Sequence, residues 1–170
     1  MDTNLNQSKD MPESITDDAT SPENDAVRKL ERLHRLHIDS IKGYETIIKD
    51  SEDERLRTLS REIKRMHERH HDTLHGLLSN YKDVDESGTV AGSVHRAWVD
   101  LKSKLAERDI AVILESMRFG ERYLDERYEE ALNGTAAAGT REGWHNIVAQ
   151  QHEEVQAILA TIEELYEQNS

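Results

Sequence analysis

Apolar side chains recur at steps of three and four residues along most of the chain, the spacing of one face of a helix, and almost nowhere alternate as a strand would. Val27, Leu30, Leu33, Ile41, Tyr44 and Ile48 mark a first helix ending near Asp50. Ser21-Pro22-Glu23-Asn24 opens it with a capping residue, a proline in the first turn and an acid near the positive helix end. After the polar break "KDSED", Leu56, Leu59, Ile63, Met66, Leu74, Leu77 and Tyr81 mark a second helix. So short a link between two long helices makes them antiparallel neighbours. The stretch "KDVDESGTVAG" reads as a loop, and Val90, Val94, Trp98, Leu101 and Leu105 predict a shorter helix after it. Asp109 can cap the next helix, whose inward face is Ile110, Ile113, Met117, Glu121, Leu124, Tyr128 and Leu132. Thr140 opens the last one, with Trp144, Ile147, Val148, Gln151, Val155, Ile158, Leu159, Ile162 and Leu165 inward.

Connection lengths then suggest the topology. The first two long helices, and the last two, are joined by short turns, but about 27 residues containing the short helix separate the pairs. An up-down-up-down bundle has no need of so long a link. A crossover helix of about 16 residues spans about 24 Å, enough to bring the chain back along the bundle so that the third long helix runs parallel to the second. The predicted fold is therefore all-α: a ferritin-like four-helix bundle with a long crossover containing a short helix between helices 2 and 3. Residues 1–22, poor in large apolar groups and rich in Asp, Ser, Thr and Asn, are expected to be a disordered acidic tail on a bundle spanning 23–170.

Composition narrows the function more than it names it. With 35 acidic against 22 basic side chains the net charge is -13, which disfavours nucleic acid and anionic membranes as partners. No apolar run approaches the roughly 18 residues of a membrane span, and the N-terminus lacks the features of a signal peptide, so a cytoplasmic location is expected. The absence of cysteine excludes disulfides, thiol catalysis and iron–sulfur clusters. No nucleophile elbow or phosphate-binding glycine loop appears. A homodimer through an exposed helix face is the expected assembly, with any other protein partner unidentified.

Four of the nine histidines crowd into "HERHHDTLH", residues 67–75. At about 100° per residue the apolar stripe of the second helix centres near His70 with His67 beside it, whereas Glu68 points away and His71 and His75 are expected to face water. Pairing the first two helices sets His34 and His37 level with His67 and His70. Pairing the last two sets Glu121 opposite Gln151 and His152. If the two layers coincide, His34, His67, His70, Glu121 and His152 could surround a metal, iron or another divalent ion. The competing reading is a buried hydrogen-bond network with Glu121 as acceptor for histidine or tyrosine, since a carboxylate on an apolar face must find a partner or be protonated. A di-iron centre of the carboxylate bundles requires Glu-x-x-His from each of two helices; here Glu68-x-x-His71 points the wrong way and the last helix offers Gln151. His67 and His71 also satisfy a hemerythrin-like His-x-x-x-His, but the long crossover argues against that fold.

The stretch "GTVAGSVHRAWVDLKSKLAERDIAVILESMRFGERYLDERYEEAL" at 88–132, together with "DSIKGYE" at 39–45, resembles a bacterial ferritin-like four-helix-bundle family known mainly as a domain of unknown function. Residues matching that family's pattern are Gly43, Tyr44, His95, Arg96, Trp98, Gly120 and Glu121. His95, Arg96 and Trp98 are expected to pack the crossover helix onto the bundle. The resemblance implies a fold and no activity, and Met117, Arg118 and Leu159 stand where the family tends to carry acids and a histidine. Two readings stay open: a non-catalytic structural, stress-related or interaction protein, or a metalloprotein that binds iron, or a substitute such as zinc or manganese, and oxidises ferrous iron with oxygen or peroxide.

Overall fold

A computed structural model describes residues 22–88, 93–106, 109–135 and 142–170. It is all-helical, with no strand among the described residues: α1 (Pro22–Asp50), α2 (Glu54–Leu78), α3 (Ser93–Ala106), α4 (Ile110–Thr135) and α5 (Glu142–Asn169). The expected acidic tail, residues 1–22, lies outside the described residues except for Pro22, which already begins α1. Val90, Thr140 and the side chains of Val94 and His95 lie outside them as well.

Local chemistry sets several helix ends. Asp53 Oδ1 accepts from the Arg55 and Leu56 amides at 2.8 and 3.0 Å, satisfying donors that the first turn of α2 cannot use internally. Asp109 does the same for Ala111 and Val112 of α4, at 3.0 and 3.4 Å. Tyr81, expected at the end of the second helical stripe, lies beyond α2 and is 37% exposed.

Cross-helix contacts give the directions. His37 and Tyr44 of α1 meet Tyr128 and Glu121 of α4, so the two helices run antiparallel. Residues 34 and 37 of α1 face 71 and 67 of α2, and Asp125 and Arg122 of α4 face His152 and Glu163 of α5, again antiparallel. Arg69 and His70 of α2 reach Glu154 of α5. Helix α2 thus runs parallel to α4, and α3 rests on α1 and α4 in the connection between them.

The core departs from the sequence pattern along α1. Leu36, Ile38 and Ile47 are buried, whereas Ile41 and Ile48 are only half-buried. Residues 36–40 are buried without interruption, more than a full turn. A helix covered by α2 on one side, α4 on another and α3 on a third has no solvent face to pattern there.

One contact fastens α3 to the rest. The Trp98 indole lies so close to Gly43 of α1 that a Cβ there would stand 2.2 Å from Cδ2, and it passes Gly120 of α4 with room for a Cβ at 3.1 Å from Cζ2. Tyr44 packs on the same indole with ring centroids 5.3 Å apart. Gly43, Tyr44, Trp98 and Gly120, which carry the family resemblance, therefore meet at one point.

Candidate functional site

Glu121 lies near the middle of α4 with no solvent exposure. Its Oε1 accepts the Tyr44 hydroxyl proton at 2.7 Å and faces His67 Nε2 at 2.9 Å. His67 Nδ1 is 2.8 Å from His37 Nδ1, and His37 Nε2 is 2.7 Å from the Tyr128 hydroxyl, which in turn lies 3.0 Å from Gln151 Oε1. Gln151 Nε2 donates to the His70 carbonyl at 3.4 Å. One polar row thus crosses all four long helices.

Proton placement follows from donor inventory. Tyr128 gives its one proton to Gln151 Oε1, so a neutral His37 donates to the Tyr128 oxygen from Nε2–H and accepts at Nδ1 from His67 Nδ1–H. Burial, then the neighbouring His67 and His70, push the His37 imidazole well below its ordinary range. Burial and the Glu121 charge push the Tyr44 and Tyr128 phenols well above theirs. These three groups therefore stay neutral and act as directed donors and acceptors.

The five residues drawn from sequence as one metal set are distributed over several places. His67 and Glu121 touch. His70 is 3% exposed and its Nε2 stands 3.3 Å from Glu154 Oε2; burial outweighs the attraction of Glu154 and holds its imidazole at about 4. His152 pairs with Asp125 at 2.7 Å and stacks on the Tyr128 ring. His34 is fully buried but joins His71, His75 and Glu86. His67 meets Glu121, but the expected pairing of Glu121 with Gln151 and His152 is split: Glu121 faces Tyr44 and His67, His152 pairs with Asp125 one turn further along α4, and Gln151 meets Tyr128 two turns further. His71 and His75, expected to face water, are half-buried instead, because the segment after α2 folds over them. Asp125 and Glu86 were invisible to a reading of helical stripes, one lying on a flank and the other in a loop.

No helix among the described residues is long and apolar enough to cross a membrane. No curated protein and no solved structure matches the chain. A family described as a domain of unknown function (DUF2383) matches residues 25–135, covering α1 to α4 with Gly43, Trp98, Gly120 and Glu121 among the matched positions. With most of its length under that match, the chain belongs to the DUF2383 family.

Proposed function

We propose that the chain is a ferritin-like four-helix bundle whose central polar row is held by hydrogen bonds among its own side chains, Glu121 Oε2 making none, and that it serves as a structural or interaction module rather than a di-iron oxidase. The antiparallel pairs, the parallel α2 and α4 and the intervening α3 support the ferritin-like arrangement. The observation that carries the role is the occupancy of Glu121 Oε1 by Tyr44 and His67.

A di-iron carboxylate centre draws on four carboxylates, because two divalent ions need several negative charges to offset their removal from water. Asp39 and Glu121 are the acids buried among the described residues, and Asp39 is covered by Gly88 of the segment after α2 rather than hydrogen-bonded into the row described above. A single carboxylate does not suit that chemistry, so no oxidation step is derived for this centre. The reading includes a cytoplasmic location and protein partners, a second copy of this chain first among them, because the net charge of -13 disfavours nucleic acid and anionic lipid.

The test is elemental analysis of untagged protein produced with added iron and manganese, beside Glu121→Ala. A structural Glu121 predicts identical metal content in both proteins and a loss of roughly 3 kcal/mol in the variant, whose Tyr44 and His67 are left unpaired in the core. Glu121→Gln, which keeps an acceptor oxygen, should lose less. One or two ions per chain that vanish in Glu121→Ala would overturn the reading.

A further inference from the structure

We propose that His34, His71, His75 and Glu86 form a mononuclear site for a divalent transition ion of the zinc class, separate from the central network. One donor atom from each lies within 4.8 Å of all the others. His71 and His75 are one turn apart on α2, the spacing that puts two imidazoles on one helix face. His34 comes from α1, its ring stacked on His71 at 4.5 Å and tilted against His75 at 5.7 Å. Glu86 closes the group from the segment that leaves α2, with one oxygen 3.0 Å from His71 Nε2 and the other beside His75 Nδ1.

The strongest pointer is His34. Its side chain has no exposure, neither ring nitrogen makes a hydrogen bond, and Nε2 stops 3.9 Å from Glu86. A buried imidazole without a partner costs free energy, and a cation held between His34 and Glu86 would supply one. Nearby groups are arranged as ligand supports. Asp72 lies 3.0 Å from His71 Nδ1, fixing that ring with Nε2 turned to the site, as a carboxylate behind a metal-bound histidine does. Arg35 holds Asp85 at 3.0 Å, and Asp85 accepts from the Ser87 amide at 2.8 Å, which pins the loop on both sides of Glu86.

Three imidazoles and one carboxylate favour zinc and its neighbours over calcium or magnesium, which select all-oxygen shells. Tetrahedral bonds of about 2.0–2.1 Å imply donor spacings near 3.4 Å, so modest side-chain rotations about the ion complete the site. The bound ion would clasp the start of the crossover onto the α1–α2 pair. The smaller group of Asp125, Glu129 and His152 carries no comparable orphan, since His152 is already paired.

The experiment titrates untagged full-length protein with Zn2+ against a chromophoric chelator and records the visible spectrum of the Co2+ form. One ion per chain is expected, with a Co2+ spectrum of low coordination number. Loss of an outer-shell partner alone weakens such sites about 10–100-fold, so His71→Ala and His75→Ala should each weaken binding by about 100-fold or more. Asp72→Asn should stay within that outer-shell range, and Glu121→Ala should bind as the wild type does. The His71, His75 and Asp72 changes lie on the solvent side of α2 and leave the helices intact, which circular dichroism checks. Absence of stoichiometric Zn2+ binding, wild-type affinity in both histidine variants, or loss of the ion in His152→Ala instead would each overturn the proposal.

Discussion

Replacing Gly43 by alanine isolates the clasp that holds α3. The same substitution at three helical glycines adds one methyl group and gains about 1 kcal/mol of helix propensity, so differences among them report space alone. At Gly76 nothing lies within 4 Å of the new Cβ, and the full gain of about 1 kcal/mol should appear as added stability. At Gly120 the nearest atom is Trp98 Cζ2 at 3.1 Å, a gap that a shift of a few tenths of an ångström relieves, so the net change should be near zero. At Gly43 the Cβ would stand 2.2, 2.3 and 2.6 Å from three atoms of the Trp98 ring, where ordinary contact is about 3.5–4 Å. That ring is 8% exposed and lodged against Tyr44 and Gly120, so it has nowhere to retreat without giving up its own burial. Overpacking at the upper end of its usual range, about 3 kcal/mol, less the propensity gain, leaves Gly43→Ala destabilised by about 2 kcal/mol. For a chain of this size that is a fall of roughly 4–8 °C in Tm. Urea denaturation followed by circular dichroism at 222 nm measures all three. Equal stabilisation at Gly43 and Gly76 would refute the packing of Trp98 against α1.

Two further predictions concern the buried imidazoles and the polar row. His34 and His70 titrate at about 4 and His37 well below the ordinary 6.5, so between those values the unfolded chain binds protons that the folded chain refuses. Stability contributed by these groups is complete above 6.5 and is lost as pH falls toward 4, by up to about 1.4 kcal/mol per pH unit for each histidine; denaturation midpoints that stay flat from pH 7 to 4.5 would contradict this. Tyr128→Phe removes the hydroxyl between His37 and Gln151 and should cost about 1–3 kcal/mol, whereas Tyr123→Phe, whose oxygen meets only a surface arginine, should stay within about 0.5 kcal/mol in the same assay.

Helix number, type and approximate ends were legible because each depends on local order: three- and four-residue periodicity, Pro22 in a first turn and Asp109 as a cap. The inward aim of His67, His70 and Glu121 was legible for the same reason, since a helix fixes the angle between neighbours on its own stripe. Packing of Trp98 onto the bundle was legible through the family pattern, but its lodging between Gly43 and Gly120 came only from the structure. The offset of α4 against α2 was not legible, because it depends on how side chains from different helices interlock. That offset places His67 on Glu121, while the offset of α5 against α4 sends Gln151 to Tyr128 and gives His152 to Asp125. Nor could a helical pattern reveal that the loop after α2 turns back over His71 and His75, since Glu86 has no periodicity to mark it. Sequence alone determined which faces are apolar and which helices exist; only tertiary packing decided which polar groups share a layer, because contacts between distant segments are set by the mutual fit of whole helix surfaces.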